Sequence, residues 1–252
     1  MSPAGFAEAR DSRTLVELAL KHERIVLAVL IAILLLSWTW IALMAIDMYG
    51  SMSGTSAWMM TAHWDAAHVL LLFTMWAVMM VAMMLPSAAP LVLLYAGALR
   101  ASRDPAARAS TYAIAAGYLA VWLIFSAVAT LLQRMLSSVA AVDAMMEPSS
   151  SALTAAILVL AGVYQLTPLK RSCLRVCRSP LGYLMQHWRQ GTRGAFGLGL
   201  RHGVYCLGCC WALMLLLFAG GIMNLLVIAA LTLWVLAEKF APLGEQGARR
   251  AA

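Results

Sequence analysis

Long apolar runs separated by short polar or basic segments dominate this chain. Residues 25–46, 68–99, 112–132, 152–167, 204–219 and 222–237 contain no Asp, Glu, Lys or Arg. A helix needs about 20 mostly apolar residues to cross roughly 30 Å of hydrocarbon, and the first three runs reach that length. The last two are shorter and are divided by Gly220-Gly221, so they also fit a re-entrant hairpin. The pattern predicts an all-α, polytopic membrane protein with about six transmembrane helices.

Composition agrees. The 252 residues are 63% hydrophobic and 12% charged, with a mean hydropathy of +0.83, a balance that excludes a water-soluble domain. The cations alternate along the chain. Arg10, Arg13, Lys21 and Arg24 precede the first run, no Lys or Arg follows it, and Arg100, Arg103 and Arg108 follow the second. Arg134 stands alone after the third; Lys170, Arg171, Arg175, Arg178, Arg189, Arg193 and Arg201 crowd between the fourth and fifth; Lys239, Arg249 and Arg250 close the chain. Because Lys and Arg near span ends favour the cytoplasmic side, this distribution predicts a multi-pass protein of the bacterial inner membrane with both termini cytoplasmic. The net charge of +7 then reads as a topology signal, and no nucleic-acid partner is expected.

The domain organisation that follows is a cytoplasmic segment 1–23, one helical membrane domain 24–240 and a cytoplasmic tail 241–252. The domain includes an outer loop 47–67 and an inner basic loop 168–202. The first span is too long for a signal-peptide core and is expected to be retained.

Chemistry concentrates in Cys206-Leu-Gly-Cys209-Cys210-Trp211-Ala-Leu-Met214. At helical spacing Cys206 shares a face with Cys209 and Cys210, so thiols can converge on one ion without backbone rearrangement. Cys173 and Cys177 form a second pair one turn apart. The five cysteines suit Cu(I) or Zn(II), both of which accept thiolate ligands. Lys170, Arg171, Arg175 and Arg178 would favour the thiolate form of Cys173 and Cys177. The bland alternative is inert packing thiols; a structural disulfide is disfavoured on a reducing side. The spacing leaves open whether Cys173 and Cys177 share a site with Cys206.

Methionine supplies a second soft ligand set. The outer loop carries Met48, Met52, Met59, Met60, His63 and Asp65, and the next run brings His68, then Met75, Met79, Met80, Met83 and Met84. Met75, Met79 and Met83 fall on one helical face and Met80 and Met84 on its neighbour. Thioether and imidazole bind Cu(I) without losing a proton, although methionine is also a common gap-filler in cores. Pro86 and Pro90 remove two backbone donors within this run, which a membrane tolerates where protein covers the break. Asn224 and Glu238 are polar positions within or at the end of an apolar run and are candidates for that reason. Asn224 could instead bond across the glycine turn, and Glu238 could pair with Lys239 or an inner-loop arginine. Gln133 and Arg134 read as anchors at a span end.

The run from Met75 to Pro90, the segment Lys170-x-x-Cys173-x-x-x-Cys177-x-x-Pro180, and the block Gly203-x-x-Cys206-x-Gly208-Cys209-Cys210-Trp211-x-x-Met214 belong together with Gly221-x-Met223-Asn224 and Glu238-Lys239. In combination they resemble a bacterial family of unknown function described as predicted metal-binding integral membrane proteins. The resemblance implies a multi-span helical fold and a metal site, and brings neither a reaction nor a metal identity.

The residues favour a copper-handling membrane protein. Cu(I) would be taken up at the Met/His loop, passed along Met75, Met79 and Met83, and held by the cysteine thiolates. The strategy is similar to that of eukaryotic copper-uptake channels, which use Met-x-x-x-Met in a span and cytosolic thiols. A non-transporting metal-binding subunit or assembly factor is the alternative, with a metal-donor or acceptor protein, an oligomer or a membrane complex as partner beside the lipid bilayer. A membrane thiol oxidoreductase cycling Cys206 with Cys209 ranks third, and no catalytic residue is nominated.

Overall fold

A computed structural model of the chain describes residues 24–50, 65–139 and 150–240. Eight helices and no strand occur among the described residues: α1 Arg24–Tyr49, α2 Ala66–Ala101, α3 Ala107–Ser138, α4 Ser151–Gln165, α5 Pro168–Arg178, α6 Pro180–His187, α7 Gly191–Gly220 and α8 Leu225–Phe240. Their starts follow local chemistry. The Asp65 carboxylate accepts the His68 N–H at 2.8 Å and opens α2, and Ser150 Oγ accepts from Leu153 N at 3.2 Å to open α4. Thr167 Oγ1 accepts from Lys170 N at 3.3 Å, with Pro168 in the first turn, where its missing N–H costs nothing.

Four helices, α1, α2, α3 and α7, are long and apolar enough to cross a membrane. α4 and α5 would add a fifth crossing if taken as one span broken by a 65° bend. Of the about six spans expected, four or five find support among the described residues. The reason lies in the segment read as an inner loop, 168–202, which is helical: α5 and α6 form there, and α7 starts at Gly191 and runs 30 residues. At about 1.5 Å per residue, the 16 residues of α8 fall short of the hydrocarbon thickness. Gly221, at φ +85°, turns the chain between α7 and α8, and Asn224 caps α8 by accepting from Leu226 N at 3.1 Å and Val227 N at 3.3 Å. The polar group of Asn224 is thus a helix cap. The segments 1–23 and 241–252 and most of the outer loop lie outside the described residues.

α3 and α7 pack backbone to backbone. A methyl group at Gly117 would meet the Phe196 carbonyl and, at 2.9 Å, Leu200 N; one at Gly199 would land on the Ile114 carbonyl; one at Gly203 would meet Val121 Cγ2 at 2.8 Å. Gly199 and Gly203 stand four apart, the small-residue spacing that lets two helices approach closely in an apolar medium. α2 fills the other side of this pair with Met75, Trp76, Met79, Met80, Met83 and Met84, all fully buried in one core with Cys206, Cys209, Cys210 and Met214. Large apolar residues face outward on α1 (Leu35, Leu36, Leu43, Ile46) and α4 (Leu158, Val159, Val163). The helix of α2 continues through Pro86 and Pro90. Gln133, read above as a surface anchor, is buried and accepts the Trp76 indole N–H at 2.8 Å, which satisfies both groups inside the core.

Gly199→Ala is expected to lower stability by about 3 kcal/mol or more, because a carbonyl rather than a flexible side chain blocks the added methyl. Gly197→Ala, where the space is open, should be neutral or gain up to about 1 kcal/mol from helix propensity. Thermal unfolding of the two variants in detergent checks the contrast.

Candidate metal centre

Cys206, Cys209 and Cys210 lie on one face of α7, all buried, with their sulfurs within 4.8 Å of one another. Cys206 is placed by its helix at mid-depth: it lies 15 residue steps after Gly191, or about 22 Å, and 14 steps before Gly220, or about 21 Å. The thiols therefore sit in the middle of the bundle. The thiols of Cys209 and Cys210 each donate to the Cys206 carbonyl at 3.0 Å. The same face of α7 carries His202, Cys206, Cys210 and Met214 at four-residue intervals, all buried.

α5 brings the second cysteine pair to this place. Lys170, Cys173, Leu174 and Cys177 occupy one face at offsets of three, four and seven residues, and that face packs on α7. Cys177 Sγ lies 3.9 Å from Cys209 Sγ. Cys173 Sγ rests on the backbone of Gly208, where a Cβ would sit 2.8 Å from the sulfur. The question the spacing left open is resolved: α5 folds back so that all five thiols gather around one region. The basic residues of α5 serve elsewhere. Arg171 donates to the Leu166 carbonyl at 2.9 Å, Arg175 to Ser172 Oγ at 3.3 Å and Arg178 Nε to the Glu238 carbonyl at 2.8 Å. Lys170 Nζ reaches both Glu238 carboxylate oxygens at 2.7 Å, so Glu238 ties α5 to α8 and is a structural residue.

A cation missed by the sequence reading does reach a thiol of the cluster. Lys239 Nζ donates to Cys206 Sγ at 2.9 Å and to Ser87 Oγ at 2.9 Å. Tyr118 Oη is 3.1 Å from the same sulfur and 3.1 Å from Ser87 Oγ, and donates to the Met84 carbonyl at 3.0 Å. Four helices thus meet at one polar knot, with α2 giving Ser87, α3 Tyr118, α7 Cys206 and α8 Lys239. A helical signal for Lys239 existed. Ile228, Leu231, Thr232, Val235 and Lys239 form the buried stripe of α8, and Lys239 occupies its last position, one turn after Val235. Ser87 similarly extends the row Met75, Met79, Met83 by one four-residue step.

The remaining candidates divide. Met75, Met79, Met80, Met83 and Met84 share the core of the three α7 thiols. Met214 joins them there, while half-buried Trp211 packs edge-on to Tyr164 at 5.0 Å, whose hydroxyl bonds the Gly208 carbonyl. His68 is buried in the first turn of α2, and Asp65 is its cap partner. His63, Met52, Met59 and Met60 lie outside the described residues.

Fold and centre together define a helical protein with spans long enough for a membrane and a buried multi-thiol centre of the kind soft metals bind. Residues 73–252 match the family PpoB2, described as copper chaperone. The chain belongs to that family. No curated protein and no solved structure matches it.

Glu238→Gln should destabilise the fold by about 3 kcal/mol, because it strands the buried Lys170 ammonium. The double variant Lys170→Met, Glu238→Leu should recover most of that loss. Denaturant titration of the three proteins in detergent measures both effects.

Proposed function

We propose that this protein is a membrane-embedded copper chaperone that holds Cu(I) on thiolates at mid-bundle and hands it to an acceptor protein. The observation that carries the reading is the convergence of Cys206, Cys209 and Cys210 within 4.8 Å of one another, with Cys177 alongside at 3.9 Å from Cys209. Thiolates outcompete thioethers for Cu(I), so an ion reaching the methionine-lined core beside Met79 and Met83 would be drawn to the cysteines. Cys173 is half-buried and would be the thiol through which the ion leaves by ligand exchange. The entry side would be the Met/His loop around His63 and His68, and the basic face of α5 would lie on the cytoplasmic side of a bacterial inner membrane. Six spans are no part of this reading. The alternative is a holding or assembly factor without transmembrane flux, favoured by a centre that α5 closes off at one side. Zn(II) is the competing ion, since it accepts the same ligands.

Metal content by mass spectrometry, on protein purified in detergent under reducing conditions, tests the assignment. The wild type should carry copper at about one equivalent per chain, and the Cys206→Ser, Cys209→Ser, Cys210→Ser variant should lose it. Zinc in place of copper would overturn the metal, and neither metal in the wild type would overturn the function. In proteoliposomes Met79→Leu with Met83→Leu should slow copper entry while leaving bound copper intact. Absence of flux in the wild type would leave the holding factor in its place.

A further inference from the structure

Charge is costly in the centre of an apolar bundle unless it is balanced there. Lys239 is 6% exposed, and its ammonium hydrogen bonds are to Cys206 Sγ and Ser87 Oγ, each at 2.9 Å. The carboxylate next to it in sequence is engaged by Lys170. Among the partners of this ammonium, Cys206 is the one able to balance it, as a thiolate, and Tyr118 and Ser87 hold the sulfur and the ammonium in place from α3 and α2.

We infer that Lys239 sets the charge of the metal centre and so makes it selective for a monovalent ion. Before loading, one thiolate and one ammonium sum to zero. Cu(I) bound by Cys206 and one further thiolate adds one positive and one negative charge, the second thiol releasing its proton to water, and the sum stays zero. A divalent ion on the same two thiolates leaves a buried charge of plus one and reaches balance only by recruiting a third. Without the ammonium the order reverses: a Cu(I) dithiolate carries minus one, and a Zn(II) dithiolate is neutral. Lys239 touches the ligand and not the ion, so it is a positioning residue.

This inference rests on the copper-chaperone reading, and the experiment separates the two. Cu(I) and Zn(II) affinities would be measured by competition with chelators of known affinity on wild type, Lys239→Met and Lys239→Arg in detergent. The sulfur coordination of bound copper would be counted by X-ray absorption. Lys239→Met should shift the Cu(I)-to-Zn(II) affinity ratio towards zinc by at least about tenfold, and Lys239→Arg, which keeps the charge, should restore the wild-type ratio. A merely structural lysine would weaken both metals together, so an unchanged ratio in Lys239→Met, with copper still bound by the wild type, overturns the inference alone. A wild type that binds neither ion overturns the chaperone reading itself. Should Lys239→Met fail to fold, a wild-type ratio in Lys239→Arg supports the charge argument, and a ratio shifted towards zinc in that folded variant overturns it.

Discussion

The closeness of α3 to α7 is the constraint on which the rest of the structure depends. Gly117, Gly199 and Gly203 remove the side chains that would hold the two backbones apart, and the residues next along each helix inherit the contact. Tyr118 follows Gly117 directly, and Cys206 lies one turn beyond Gly203, so the tyrosine hydroxyl comes to rest 3.1 Å from the sulfur. A larger separation would open the centre to lipid or water. In a bilayer, close packing would do what the hydrophobic effect does in a soluble core, because lipid offers side chains no reason to prefer protein.

The second feature is a polar centre in surroundings that penalise polarity. Three thiols, a tyrosine, a serine and an ammonium gather at mid-bundle, and they are tolerated because they satisfy one another. Such an arrangement is poor as a source of stability and suited to holding an ion, since the donors and acceptors are fixed before anything arrives. Methionines around it keep the wall apolar yet polarizable, and α5 covers it with a face that combines thiols with leucine. The ion pair of Lys170 with Glu238 locks that cover to α8.

Much of this was legible in the residues. The apolar runs predicted the long helices to within a few residues at most ends, and the spacing of Cys206, Cys209 and Cys210 predicted a shared face. The segment 168–202 misled because its arginines suggest a solvated loop, whereas the helical offsets of Lys170, Cys173, Leu174 and Cys177 put these four on the side packed against α7. Gln133 misled for the related reason that a polar residue near a run's end resembles an anchor until a partner such as the Trp76 indole appears.

The sequence by itself determined the long apolar helices, the helical class and the supply of soft ligands, since these follow from composition and from local periods of about 3.6 residues. Only the tertiary structure decided which polar groups meet. Cys206 and Lys239 are 33 residues apart and Ser87 and Lys239 are 152 apart. Cys177 is 32 residues from Cys209. No local period encodes such separations. They are fixed by how helices cross, and the crossing is set by where glycine lets two backbones touch.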